Sequence, residues 1–282
     1  MLTAIVLTIT LTERFAAIAA TSGGRMGVCA QGLEDGRLEQ LNGDERFPMQ
    51  SVYKLPIAMA ILDGVERKTL TLDRRVRLTR RDMTDVRFHS PLRDRYPQGG
   101  IELSVRDLIR AAIVDSDGVA SDALYALVGG GARVTAYVRA LGIRDMVVVA
   151  TEREMSSDEM AQYRNYATPR AAAALLRALV EGRGVSAAAR HLLLDDLAAS
   201  TPGPDRIKGQ LPPGTAVAHK TGTDATRNGL TRATNDIGIV SLPNGHHLAI
   251  AIFVKDSTSD EATRERAIAA AARAAFDAWV NQ

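Results

Sequence analysis

Apolar and polar positions change their period along the chain, and the changes separate a helical middle from two strand-bearing ends. The mostly apolar residues 1–11 read as the first turns of an amphipathic helix that runs on through Phe15, Ala16 and Ile18 and stops at Gly23-Gly24. Residues 26–30 and 38–41 read as two strands around Glu34-Asp35-Gly36, a glycine-containing hairpin signal. From about residue 47 to residue 200 the pattern is helical. Ser104 before Val105-Arg106-Asp107 resembles a capping box, and Thr168-Pro169 an N-cap followed by a first-turn proline. Strand signals return at 215–219, 236–242 and 247–254, the last two joined by Pro243-Asn244-Gly245, and residues 260–280 close as an Ala/Arg-rich helix. The expectation is an α/β (α+β) chain with an antiparallel five-stranded sheet drawn from both chain ends and flanked by the N- and C-terminal helices. Residues 1–46 with 205–282 form the sheet domain, and 47–204 an inserted all-helical domain.

Composition narrows the function classes. The chain has 282 residues, 46% of them hydrophobic and 24% charged, with a formal charge of +2. That balance argues against holding nucleic acid by charge. The one thiol, Cys29, excludes an internal disulfide framework and a Cys-clustered zinc site. No metal or organic cofactor is expected. The first eleven residues are too few to span a membrane, which takes about 20, and no basic residue precedes Leu11 as a secretory signal would require. Of the 35 basic residues only five are lysine, at positions 54, 68, 208, 220 and 255, so each lysine's place is informative.

Three short motifs can carry chemistry. Ser51-Val52-Tyr53-Lys54 puts a hydroxyl and an amine on one face of a helix start, where the amine can activate the hydroxyl and outward backbone N–H groups can hold an oxyanion. Ser116-Asp117-Gly118 ends the apolar stretch 108–114. Lys220-Thr221-Gly222-Thr223 lies on a strand where Lys and two hydroxyls make an anion-binding rail and Gly admits a ligand to the backbone. Taken singly, the three also fit a surface serine near a solvated lysine, a capping turn and a plain edge strand.

Taken in order, they match the Ser-x-x-Lys, Ser-Asp-Asn and Lys-Thr-Gly set of class A β-lactamases and penicillin-binding proteins, with Gly118 in place of Asn. The likeness extends to Glu45-Arg46-Phe47-Pro48-Met49, to Leu103-Ser104-Val105-Arg106-Asp107-Leu108 and to Asn235-Asp236-Ile237, and covers roughly residues 12–282. The chain resembles a class A serine β-lactamase. Counting back from Thr168-Pro169 places Glu152 at the family's deacylating glutamate, with Glu154 and Glu159 nearby. The loop departs from the common pattern. Arg153 stands where most members have Pro, Ser156 replaces the usual water-holding Asn, and Ala150 and Asn165 replace the Arg–Asp pair that staples the omega loop. Residues 156–166, with Asn228-Gly229 and Asn235-Asp236, resemble extended-spectrum cephalosporinases whose omega loop is rearranged and whose pocket is wider.

The resemblance implies the following roles. Ser51 attacks the lactam carbonyl while Lys54, or Glu152 through a water, takes its proton, and backbone N–H groups of Ser51 and Thr223 form the oxyanion hole. Ser116 relays a proton to the leaving nitrogen beside Lys220, and Glu152 activates the deacylating water. Lys220, Thr221, Thr223 and Arg206 meet the substrate carboxylate, although Arg206 by itself also fits a solvated surface arginine. Gly118 removes an amide contact and broadens the pocket, and His89 walls the entrance or is an exposed loop histidine. The implied substrates are β-lactam antibiotics, the implied place the periplasm or the cell exterior, and the implied state a monomer. Two alternatives stay open: a DD-peptidase-like penicillin-binding hydrolase that acylates without turnover, and a non-hydrolytic β-lactam or peptidoglycan sensor. A Ser-His-Asp hydrolase is disfavoured because His191, His219, His246 and His247 sit in no arrangement with a nucleophile elbow.

Overall fold

The computed structural model describes residues 9–84 and 88–280, so the apolar run at 1–8 lies outside the described residues. Helix α1 (Leu11–Ala19) starts at Thr10, whose side chain and that of Glu13 form a reciprocal capping box. Among the described residues the main sheet has five antiparallel strands: β1 (Arg25–Gly32), β2 (Leu38–Leu41), β3 (Val217–Thr223), β4 (Thr234–Ser241) and β5 (His247–Lys255). Their order is β2-β1-β5-β4-β3, so β1, from the N-terminal part of the chain, pairs with β5, from the C-terminal part. Both faces are covered, which is why β5 reads as a nearly continuous apolar run rather than an alternating one. Met26, Val28, Ile250 and Ile252 face one way, into a core closed by α1 and the C-terminal helix. Cys29, Ile237, Ala251 and Phe253 face the other way, into the larger core shared with the inserted helices. Each fully buried side chain of this size contributes about 1.5–3 kcal/mol.

The inserted part holds α2 (Lys54–Glu66), α3 (Arg80–Met83), α4 (Pro91–Arg95), α5 (Val105–Val114), α6 (Gly118–Val128), α7 (Gly131–Ala140), α8 (Glu152–Ser157), α9 (Pro169–Val180) and α10 (Ala187–Ala198), and α11 (Glu261–Val280) ends the chain. The caps expected from sequence are present: the Ser104 hydroxyl accepts from Asp107 N, and Thr168 accepts from Ala171 N ahead of Pro169. The insertion is not all helical. Arg75–Leu78 pairs with Ile101–Ser104, and Phe47–Pro48, Tyr166–Ala167 and Met146–Val147 form a small three-stranded sheet. These pairings are two to four residues long, too short for period-2 alternation to stand out in the sequence.

Candidate active site

Three elements meet at one cleft. Ser51 lies in a 3-10 turn, Gln50–Tyr53, that runs directly into α2, so Ser51 and Lys54 sit at a helix start. Two features hold that turn against the sheet. Asn235 Nδ2 donates to the carbonyl oxygens of Pro48 and Met49 at 2.8 and 3.1 Å. Gly222 passes so close that a β-carbon there would lie 2.3 Å from Met49 O, so only glycine lets β3 run beside the serine turn. Ser116 occupies the left-handed region (φ 56) between α5 and α6. Behind it, the Asp117 carboxylate caps α6 at Ala120 N and accepts from Ser90 Oγ and Leu92 N.

The cleft is lined by Ser51, Lys54, Ser116, Glu152 and Thr223 among others. Lys54 Nζ donates to Ser116 O at 2.6 Å and lies 2.9 Å from Glu152 Oε1, an ion pair that is almost fully buried. Among the described residues no donor, Lys54 included, makes an aligned hydrogen bond to that carboxylate oxygen, so the contact is an ion pair only. Lys220 Nζ donates to Ser116 Oγ at 2.9 Å, while Lys54 Nζ is 3.4 Å from the same oxygen. One buried hydroxyl therefore stands between two amines. Burial first, and then the charge of Lys54, push the Lys220 amine well below its ordinary pKa, against the opposite pull of Asp236 and Glu152. The arrangement can withdraw a proton from a cleft hydroxyl and return it through Ser116.

The segment that carries Glu152 is held mostly by side chains. Asp122 accepts from Glu152 N at 2.7 Å and Arg153 N at 3.1 Å. It is half-buried by exposed area yet densely surrounded, and its carboxyl is pushed up to about 7, first by burial and then by the Glu152 charge, despite the two N–H groups that favour its ionised form. Asn165, which replaces the Asp of the stapling ion pair, is buried and ties the segment by hydrogen bonds instead. Its Oδ1 accepts from Val149 N and Ala150 N at 2.7 and 2.8 Å, and its Nδ2 donates to Ala150 O at 2.8 Å. Across the cleft, Gln162 accepts from Gln50 Nε2 and donates to Asp224 Oδ2, while Glu159 pairs with Arg232.

Several expected positions fall elsewhere. Thr221 and Arg206 do not line the cleft. Thr221 is buried, with its methyl group and the Arg206 side chain both against Gly203. Nor is Arg206 solvated: it is 3% exposed and donates to Asn235 O at 3.0 Å and to Glu265 at 3.0 Å. Gly222 likewise serves the approach to Met49 rather than lining the cleft. Gly118 does not broaden the pocket, because the Phe88 ring fills the space; a β-carbon at 118 would meet it at 2.2 Å. His89 is exposed and lines the cleft, with Nε2 2.9 Å from Asp115 O, and Ser156 lines it too. Of Glu152, Glu154 and Glu159, only Glu152 reaches Lys54; Glu154 closes the capping box of α8. Phe88, Gln50, Met155, Asp224, Ala225 and Arg227 line the cleft without having been singled out. Asp122 was also missed, although it lies one helical turn beyond Gly118 on α6 and that spacing could have found it.

Residues 10–279 match a family model described as "Beta-lactamase enzyme family". The chain is 37% identical over 266 residues to "Extended-spectrum beta-lactamase PER-1" of Pseudomonas aeruginosa, covering 94% of this chain and 86% of that protein. It is 31% identical to "Beta-lactamase VEB-1" of the same organism, over 96% and 91% of the two chains. Among solved structures, a β-lactamase from Chitinophaga pinensis superposes with a TM-score of 0.92 at 41% identity, covering 95% of this chain and 99% of that one. The TLA-3 extended-spectrum β-lactamase does so with 0.92 at 36%, over 96% and 98%.

Proposed function

The chain belongs to the class A serine β-lactamases, and from that premise we propose that it opens the lactam amide of penicillins and cephalosporins through an acyl-enzyme on Ser51. The observation that carries the assignment of roles is the buried Ser116 hydroxyl between Lys54 and Lys220, with Glu152 paired to Lys54 in the same cleft as Ser51.

Ser51 Oγ attacks the lactam carbonyl, and its proton passes to Lys54, directly or by way of Glu152 and a water. The backbone N–H groups of Ser51 and Thr223 receive the developing oxyanion. Ser116 gives a proton to the departing nitrogen and regains one from the lysines on either side of it; an amine as easily deprotonated as that of Lys220 suits such a relay. Glu152 then takes a proton from a water that attacks the acyl carbonyl, and the product leaves with Ser51 restored. Thr223 meets the substrate carboxylate, the buried Lys220 adds its charge from behind Ser116, and Arg206 supports the sheet through its bond to Asn235 O. His89 and Ser156 border the substrate, and residues 47–204 act as the lobe that supplies nucleophile, relay and base. Location in the periplasm or outside the cell and a monomeric state belong to the same reading; among the described residues no helix is long and apolar enough to cross a membrane.

The test is hydrolysis of a chromogenic cephalosporin followed with intact-mass detection of the acyl adduct. Ser51→Ala is expected to show neither turnover nor adduct. Glu152→Gln is expected to form the adduct and to release it roughly 10²–10⁴-fold more slowly than wild type. A Glu152→Gln protein that turns over as fast as wild type would overturn the assignment of the base, and Ser51→Ala retaining hydrolysis would overturn the mechanism as a whole.

A further inference from the structure

Arg153 follows the proposed base directly and points away from it. Its Nη1 donates to Thr84 O at 2.9 Å, and its Nη2 donates to Arg81 O at 3.0 Å and Asp82 O at 3.3 Å. Those carbonyls end α3, where an unsatisfied acceptor and the helix dipole both favour a cation. The Arg153 backbone N–H is meanwhile held by Asp122. One residue thus bonds to two separate elements, α6 through its backbone and the end of α3 through its guanidinium. Met155 and Ser156, on the same helix as Arg153, line the cleft.

We infer that Arg153 is a positioning residue for deacylation, a three-carbonyl clamp that fixes the backbone of Glu152 between α6 and the end of α3. The inference rests on Glu152 being the deacylating base. Among the described residues Ser51, Lys54, Ser116 and Lys220 make no bond to Arg153; with Lys54 taking the Ser51 proton directly, the clamp bears on deacylation, the half-reaction that depends on Glu152 itself. A planar fork suits the task, since it reaches three carbonyl oxygens at once, whereas a lysine ammonium on its flexible stem reaches fewer with less definition. A base displaced by about 1 Å from its water loses on the order of 100-fold in rate.

The experiment compares wild type, Arg153→Ala, Arg153→Lys and Glu152→Gln in the full chain, with steady-state cephalosporin kinetics, single-turnover acylation and intact-mass spectra at steady state. Arg153→Ala is expected to lower kcat roughly 10- to 100-fold with KM falling in step. Then kcat/KM and the acylation rate stay within about threefold of wild type and the acyl-enzyme dominates the mass spectrum. Arg153→Lys is expected to fall between the two, and it carries the same test should the alanine variant not fold. A variant that keeps wild-type kcat, or one that loses acylation and kcat/KM without accumulating adduct, overturns the clamp. If Glu152→Gln accumulates adduct while the Arg153 variants do not, the clamp alone fails; if Glu152→Gln turns over normally, the reading of the base fails with it.

Discussion

The two sides of the cleft are built by different means. Ser51, Lys54 and Lys220 sit on a helix start and a sheet strand, and Ser116 at a capped helix junction, so backbone ladders and a buried core fix them. Glu152 sits on a six-residue helix whose neighbours, from Val149 to Asn165, are tied down one by one by Asp122, Arg153, Asn165 and Gln162. Regular elements share their load among many backbone bonds, whereas a side-chain tether is a single point of failure. The nucleophile side should therefore tolerate substitutions at its edges, while the base side should lose function one tether at a time.

The largest break in that contrast is expected at Asn165. Its fully buried amide makes three bonds to the backbone of 149–150, and its own carbonyl accepts from Met49 N, next to the serine turn. Asn165→Ala removes the side-chain bonds, leaves buried backbone groups unpaired and opens a cavity. A loss of about 3 kcal/mol of unfolding free energy is expected, read from urea titration, together with slower turnover at unchanged acylation. A loss below about 1 kcal/mol would mean that the loop holds itself without this amide.

Asp122 gives a smaller effect with a sign that separates it from ordinary destabilisation. Its folded pKa, about 7, lies above the unfolded value, so between about pH 4 and pH 7 the folded state binds more protons than the unfolded one. This group therefore adds stability as pH falls from about 7 to about 4, and the addition is absent above its folded pKa. The ionised form, however, is the one that accepts from both Glu152 N and Arg153 N. Asp122→Asn is expected to flatten the stability gain on acidification and to lower kcat about tenfold at neutral pH, because an amide presents one acceptor oxygen where the carboxylate presents two. Equal pH slopes for the two proteins in denaturant titrations would remove Asp122 from this role.

What was legible in the sequence follows the same division. Ser51 with Lys54, and Lys220, could be read because a helix spacing and a strand motif carry them and because lysine is scarce. Thr221 and Arg206 lie behind the cleft wall, because Thr221 is buried beside Gly203 and Arg206 is bonded to Asn235 O and Glu265, long-range contacts that no local spacing shows. Asp122 could have been found by its spacing from Gly118, but the partners of Asp122 and Arg153 left no trace, because they are backbone N–H and C=O groups, which every residue type supplies. The partner of Gly118 is a ring 30 positions earlier, and no local pattern links the two.

That ring gives the finest test. Phe88 occupies the room that a side chain at position 118 would need, with its Cδ2 only 2.2 Å from an added β-carbon, and backbone of the same wall lies close behind, His89 O at 3.2 Å. Gly118 N also donates to His89 O at 3.0 Å, so the helix start cannot move aside without breaking that bond. Gly118→Ala must then displace Phe88 into the cleft, and KM for bulky cephalosporins should rise a few-fold while acylation at saturation changes less; overpacking of this kind costs about 1–3 kcal/mol. Adding Phe88→Ala removes the obstacle, so the double variant should regain most of the lost KM relative to Phe88→Ala alone, a coupling between residues in contact. Additive effects in that cycle would place the ring elsewhere in solution and leave the breadth of the cleft to Gly118 itself.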